Sequence, residues 1–203
     1  MCEFVSFRTY RKRLKIVLGA GLTSHGDIDR INKVEQDTIS ECEWIADDKG
    51  ETLTVRDTDK ERAEKRKQEI LKAYPKRIKL INELIEIQNK RGSGYLDLRG
   101  LTTAAGLQLP SSVGGWLDLS GLTTAAGLQL PSSVGGYLDL SRLTTADGLQ
   151  LPSSVGGDLY LRGLTSADGL QLPSSVGGYL DLSRLTSEQK DKIKKERPDL
   201  KIC

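Results

Sequence analysis

Leucines recur at fixed intervals through the second half of the chain. The unit Tyr-Leu-Asp-Leu-x-x-Leu-Thr-Thr-Ala-x-Gly-Leu-Gln-Leu-Pro-Ser-Ser-Val-Gly-Gly begins at Tyr95 and returns every 21 residues. The later copies open at Trp116, Tyr137, Asp158 and Tyr179. A fixed period near 20 residues is typical of a solenoid, in which each repeat forms one rung.

Two stretches of each repeat alternate between apolar and polar residues, as strands do. They are Tyr95–Leu98 and Leu107–Leu109 in the first copy. Pro110 is expected to end the second strand because proline has no N–H to donate to a ladder. The residues 102–106 between the strands predict a short turn closed by glycine, and the glycine pair at the end of the repeat predicts the turn to the next rung. Stacked rungs would then form two parallel sheets that rise by about 4.8 Å per rung.

The apolar positions of one rung predict its core. In the first copy they are Leu96, Leu98, Leu101, Leu107, Leu109 and Val113. Burying six such side chains stabilises the fold by about 9–18 kcal/mol in total. Ordering the backbone costs about 1–2 kcal/mol per residue, which is more than one rung gains. A rung is therefore stable only within a stack, and the stack needs a cap at each end.

The last repeat changes after Ser187 into a charged segment that predicts a helix. Ser187 is expected to be its N-cap, and residues 187–203 are expected to cover the open end of the solenoid. Leu200 and Ile202 occupy the places that Leu170 and Leu172 hold one rung earlier. The pattern therefore predicts that the second strand of the rung is kept.

Residues 1–92 lack the repeat and predict a small α+β domain, followed by the solenoid at 93–203. The Asp-Asp-Lys-Gly segment that begins at Asp47 predicts a hairpin turn. After Pro75, apolar residues on one face predict an amphipathic helix. The predicted elements are strands at Cys2–Tyr10, Leu14–Leu18, Ile39–Ala46 and Thr52–Arg56, a short helix that ends near Val34, a helix at Lys60–Tyr74, and the helix carrying Ile78, Ile81, Leu84, Ile85 and Gln88.

The repeat resembles the leucine-rich repeat, especially its short bacterial form. Leu109-Pro110 and Val113, followed by Leu117 and Leu119, are similar to the Leu-Pro-x-x-Leu and Leu-x-Leu frame of that family. The asparagine that ends the strand in the family is leucine here, at Leu101, Leu122, Leu143, Leu164 and Leu185. The resemblance implies a parallel solenoid, either a curved horseshoe or a straighter form. The whole chain also resembles uncharacterised bacterial and phage repeat proteins.

The repeats differ from one another mainly at positions that face outward from the first strand. The candidate binding residues are Tyr95, Asp97, Trp116, Asp118, Tyr137, Asp139, Tyr160, Tyr179 and Asp181. Aromatic side chains beside carboxylates are typical of a surface that binds a peptide or a sugar. Aromatic residues also favour strands and stack along a ladder, so a purely structural role is the alternative. The pattern favours a non-catalytic scaffold or protein-binding module with a protein or peptide partner.

A second hypothesis assigns catalysis to Cys2 and His25. Removal of Met1 would leave Cys2 as an N-terminal nucleophile, as in the amidohydrolases of that class, with its α-amino group as the base. Alternatively, His25 would pair with Cys2 in a thiol hydrolase. The structural interpretation is that Cys2 is a small buried residue and that His25 lies in the first turn of a helix.

A third hypothesis assigns nucleic-acid binding to residues 60–91, where basic residues outnumber acidic ones. Acidic residues alternate with the basic ones there, as on an ordinary solvated helix. No aromatic interleaving or DNA-binding motif accompanies them, so this function is the least favoured.

Composition excludes several other classes. The chain has 3 cysteines and 1 histidine among 203 residues and a formal net charge of +2. The cysteines are odd in number and widely spaced, which indicates a reducing cytoplasm and no disulfide framework. No paired-cysteine or paired-histidine spacing predicts a metal, and no cofactor motif is present. The sequence has no apolar stretch that predicts a membrane span or a signal peptide.

Overall fold

The structure is a computed structural model that describes residues 3–10, 13–17, 39–47, 50–56, 59–73, 75–90 and 94–203. The chain forms two compact units, residues 1–87 and 88–203.

The N-terminal unit contains a four-stranded antiparallel sheet in the order β2-β1-β3-β4. Its strands are β1 Glu3–Tyr10, β2 Arg13–Val17, β3 Ile39–Asp47 and β4 Gly50–Arg56. The predicted hairpin is confirmed, with Trp44 of β3 opposite Leu53 of β4. Cys42 and Trp44 are both buried, because alternate residues of a strand share one face.

Two helices of 14 residues each follow, α1 Lys60–Ala73 and α2 Arg77–Lys90. Helix α1 packs against β4. The apolar face predicted after Pro75 is present, since Ile81 and Ile85 are buried, and Leu80 is buried beside them. The helix predicted to end near Val34 lies outside the described residues.

The second unit contains a parallel β-solenoid of about five turns over residues 96–202. The term rung is used here for one turn, and rungs one to five begin at Tyr95, Trp116, Tyr137, Asp158 and Tyr179. The strands of the first sheet are β5 Leu96–Asp97, β7 Leu117–Asp118, β9 Leu138–Asp139, β11 Leu159–Tyr160, β13 Tyr179–Asp181 and β14 Lys201–Ile202. They stack in that order, each in register with the next. The leucines at the second and fourth positions of each rung are buried and form the core.

The second sheet lies at a different place in the repeat from the predicted one. Its strands are β6 Ser112–Val113, β8 Ser133–Val134, β10 Ser154–Val155 and β12 Ser175–Val176. Leu107–Leu109 is not a strand, because the Leu107 N–H donates locally to Ala104 O at 3.0 Å. The strand therefore follows Pro110 instead of ending there, and the proline precedes the residues whose N–H groups form the ladder.

A helix, α3 Ser187–Glu196, follows the last full rung. Its N-cap is Thr186 and not Ser187, because Thr186 Oγ1 accepts from the Gln189 N–H at 3.2 Å. The Gln189 side chain accepts in return from the Thr186 N–H at 3.0 Å, which completes a capping box. The N-cap predicted from the sequence, Ser187, is thus one residue C-terminal to the actual one.

The segment after α3 joins the first sheet and does not continue the second. In β14, Lys201 pairs with Tyr179 and Ile202 pairs with Leu180. The prediction that Leu200 and Ile202 keep a second strand was therefore wrong. Ile202 instead occupies the column of buried leucines at the second position of each rung.

Candidate interaction surface

The first residues of the rungs form an aromatic column on the outer face of the first sheet. The Tyr95 and Trp116 rings stack with centroids 4.8 Å apart and an interplanar angle of 16°. Trp116 and Tyr137 stack at 5.4 Å and 4°. These spacings follow the rise of a parallel sheet, because in-register strands place equal positions directly above one another.

Stacking determines which parts of these rings remain accessible. A ring between two stacked neighbours has both faces covered, so Trp116 presents only its edge. All three side chains are half-buried. Burial raises the pKa of Tyr137, and the neighbouring carboxylate of Asp118 raises it further. The stack therefore stabilises the sheet and also forms a rigid aromatic edge along it.

The predicted column of aspartates is present, and its carboxylates cap the turns after the strands. Oδ1 of Asp118 accepts from the Ser120 N–H at 3.0 Å, and Oδ1 of Asp139 accepts from the Ser141 N–H at 2.8 Å. Asp181 makes the same contact with the N–H of Ser183. Each is an Asx turn, in which the side chain replaces a backbone acceptor.

Two arginines neutralise the carboxylates of neighbouring rungs. Arg99 Nε lies 2.9 Å from Asp97 and its Nη2 lies 3.5 Å from Asp118, and both carboxylates are buried. Arg162 lies 3.7 Å from Asp181. The side chains of both arginines are about half exposed, at 53% and 52%. The hydrogen bond from Arg99 to Asp97 raises the pKa of the guanidinium. Because Arg99 contacts both Asp97 and Asp118, it relieves the repulsion expected between these two stacked aspartates.

Rung four exchanges the aromatic and acidic positions. Asp158 takes the place of the ring, and Tyr160 takes the place of the aspartate. The Tyr160 hydroxyl donates to Asp158 Oδ2 at 2.9 Å, which raises the pKa of the tyrosine. Its ring meets the Tyr137 ring at 68°, with centroids 6.0 Å apart. The stack of parallel rings therefore ends at Tyr137.

Rung five carries the most exposed ring of the surface. Tyr179 is 55% exposed, and Lys201 Nζ lies 6.0 Å from its centroid. Arg162 likewise lies over Tyr160, with its Cζ 5.3 Å from the centroid. The cations of this face thus lie over tyrosine rings as well as beside carboxylates.

The outer face of the second sheet is a neutral groove that the sequence analysis did not single out. It has a volume of about 480 Å³ and is lined by the Ser-Val-Gly segments of rungs one to four. The preceding serines form a ladder, in which Ser132 Oγ donates to Ser111 O at 2.8 Å and Ser153 Oγ to Ser132 O at 2.9 Å. The sequence signal that could have indicated this groove is the Pro-Ser-Ser-Val-Gly-Gly block, which is identical in rungs one to four.

The remaining predicted sites are not brought together by the described part of the chain. Cys2 and His25 both lie outside the described residues, so the thiol hypothesis stays a prediction. Within the range 60–91, residues 60–73 and 77–90 form α1 and α2, with Lys65 and Lys76 exposed. Nucleic-acid binding there also stays a prediction. Within the described residues, no group of three or more His, Cys, Asp and Glu side chains is placed to hold a metal ion.

None of the helices in the described ranges has the length and apolarity that a membrane crossing requires. Comparison of the chain with protein-family models, with curated proteins and with solved structures finds no match.

Proposed function

We propose that the solenoid is a non-catalytic protein-binding or scaffold module, and that the outer face of the first sheet is its contact surface. The observation that carries this proposal is the distribution of sequence differences among the rungs. The leucines and the Ser-Ser-Val-Gly-Gly block scarcely change, whereas the outward residues of the first strand and its turn do. Those variable residues lie side by side on one face, where a partner would meet them together.

The contacts of the face indicate which groups would meet a partner. The aspartate carboxylates are occupied by turn N–H groups and by arginines. The ring of Trp116 presents its edge, while Arg99 and Arg162 present half-exposed guanidinium groups. Aromatic residues and arginine are the side chains most enriched at the centres of protein interfaces.

The rigidity of the face also favours binding. The rings are held by stacking and the arginines by ion pairs, so little side-chain freedom is lost when a partner docks. A serine-and-glycine face such as that of the second sheet offers fewer anchors of this kind. The first-sheet face is therefore the better candidate on energetic grounds.

The test immobilises the full chain, identifies captured proteins by mass spectrometry, and repeats capture with Trp116→Ala and Tyr137→Ala combined. Loss of an aromatic anchor typically lowers affinity by at least about 30-fold, or 2 kcal/mol. The matched control carries Ser112→Ala and Ser175→Ala on the second sheet, and circular dichroism monitors folding of both variants. A partner lost by the ring variant alone supports the proposal, whereas equal capture by a folded ring variant contradicts it.

A further inference from the structure

The aromatic column has a gap at rung four. Rings occupy its first three rungs and its fifth, but Asp158 occupies the fourth. Tyr137 and Tyr179 therefore lie two rungs apart, or roughly 9.6 Å at the rise of a parallel sheet. The missing ring is reflected in the exposure of Tyr179, which is 55%, whereas the stacked rings are half-buried.

The gap has the thickness of one planar group. Carbon atoms in contact lie about 3.5–4.0 Å apart, so a flat group between two rings needs about 7–8 Å. Two rungs supply this distance with some room to spare. Tyr160 does not continue the parallel stack, because its ring stands at 68° to the Tyr137 ring, with centroids 6.0 Å apart.

The floor of the gap is acidic. Asp158 Oδ1 accepts from the Tyr179 N–H at 2.7 Å, and Oδ2 accepts from the Tyr160 hydroxyl at 2.9 Å. Both donors are neutral, and none of the ion pairs within residues 94–203 includes Asp158. A carboxylate has about four acceptor positions, so two donors leave it able to accept more.

We propose that this gap receives an arginine side chain of a protein partner, with the guanidinium between Tyr137 and Tyr179 and hydrogen bonds to Asp158. This inference rests on the proposed binding function of the first-sheet face and names the group that the face recognises. A guanidinium is planar, it stacks on aromatic rings, and its donors match a carboxylate. Lysine has a rounder, more strongly hydrated head and fits a slot between rings less well.

The surface already uses this chemistry with its own residues. Arg162 lies over the ring of Tyr160 and reaches the carboxylate of Asp181. Asp158 and Tyr179 offer the same combination of ring and carboxylate. A partner's cation that contacts the ring of Tyr179 and the carboxylate of Asp158 would therefore make the same two contacts that Arg162 makes with Tyr160 and Asp181.

The experiment titrates the full chain with the peptide acetyl-Gly-Arg-Gly-amide and follows the tyrosine ring signals by NMR. The expected result is a saturable shift at Tyr137 and Tyr179. The matched peptide with citrulline keeps the planar shape but has no charge, and it should bind about tenfold more weakly, since ring and carboxylate contacts each contribute modestly at an exposed site. Equal binding of the two peptides, or no saturable shift with the arginine peptide, would overturn the proposal.

Two variants test the gap itself. The double exchange Asp158→Tyr with Tyr160→Asp makes residues 158–163 of rung four identical to residues 95–100 of rung one, so the variant should fold and fill the column with a ring. The arginine peptide should then lose its shifts at Tyr179. Asp158→Asn keeps the gap but removes the charge and should weaken binding by up to about fivefold, whereas the control Ser112→Ala on the second sheet should leave binding unchanged. Unaltered binding to the filled column contradicts the inference.

The two proposals fail in different ways. If capture of a partner depends on Trp116 and Tyr137 while the exchange at rung four has no effect, only the arginine gap is wrong. If the arginine peptide binds at rung four but capture does not depend on the rings, the proposed function is wrong and the gap remains a site for arginine.

Discussion

At the scale of single residues, the glycines that follow the second-sheet strands of rungs two to four are required by close approach between rungs. A Cβ at Gly135 would collide with the carbonyl oxygen of Gly114 one rung below. A Cβ at Gly156 would likewise collide with the carbonyl oxygen of Gly135, and a Cβ at Gly177 with that of Gly156. Sequence reasoning assigned the glycine pair to a turn, but these residues have no positive φ. The positive φ values belong instead to glycines such as Gly127, at +73°.

We expect Gly135→Ala to lower the free energy of unfolding by about 1–3 kcal/mol, the usual cost of forcing an extra methyl group into a packed site. The control in the same rung is Gly127→Asn, where the added Cβ has no described atom within 4 Å. Asparagine tolerates the left-handed backbone, so this change should cost less than Gly135→Ala. Urea unfolding measures both. Equal losses would show that the close approach is not the reason for glycine at residue 135.

The candidate surface was predictable from the sequence only in part. The period of 21 residues placed Tyr95, Trp116 and Tyr137 in one column, and strand alternation placed them outward. The Asx turns of Asp118 and Asp139 were not predictable, because they depend on the conformation of the two residues after each strand. The exchange at rung four was visible in the sequence, but its gap appears only once neighbouring rings are seen to stack.

At the scale of elements, the sheets are short and their ends need partners. The strands of the second sheet have two residues each, which is too short for an alternating apolar and polar pattern to be recognised. The strand was therefore predicted at Leu107–Leu109, where three residues do alternate. The serines before the strands of rungs two to four each donate their N–H to the rung below, as Ser174 does to Ser153 O at 2.8 Å. Rung five has no second-sheet strand to donate to the carbonyl of Ser174, because α3 follows there instead.

Arg197 supplies the missing donors. Its Nη1 donates to Pro173 O at 2.7 Å and its Nη2 donates to Ser174 O at 3.1 Å. Asp199 holds the guanidinium through Nη2 at 2.7 Å. That hydrogen bond raises the pKa of Arg197 and lowers the pKa of Asp199, because each charge stabilises the other. A side chain thus replaces the next rung at this end of the second sheet.

We expect Arg197→Ala to lower the stability of the last rung by about 1–3 kcal/mol, because two carbonyls lose charged donors. It should also promote self-association, since an uncovered edge is a template for pairing. Hydrogen exchange of Val176 and sedimentation at several concentrations measure the two effects. Arg184→Ala, an exposed arginine of the same rung, is the control. If both variants behave alike, Arg197 is not the cap of this edge.

At the scale of the whole molecule, the solenoid is held by contacts between adjacent rungs. Leu117 N donates to Tyr137 O and Leu138 N donates to Asp158 O, both at 2.9 Å, and the same bond repeats along the stack. Such an array behaves as a chain of nearest-neighbour interfaces. The solenoid was predictable at this scale because a period of 21 residues is recognised from the similarity of the repeats to one another alone. Local strand positions were less predictable because each strand is so short.

Deletion of residues 137–157 tests this view of the stack. Removing 21 residues joins rung two to rung four in register, so that Leu117 N would donate to Asp158 O as Leu138 N does now. The shortened chain should fold cooperatively with a lower Tm, by about 2–4 °C for each kcal/mol lost. Deleting only residues 138–157 shifts the register by one residue and turns buried leucines outward. That chain should lose the β-signal of the solenoid in circular dichroism. Only the deletion of a whole rung keeps the ladder in register. Equal folding of the two deletions would therefore contradict the view that the rungs are interchangeable units held by this ladder.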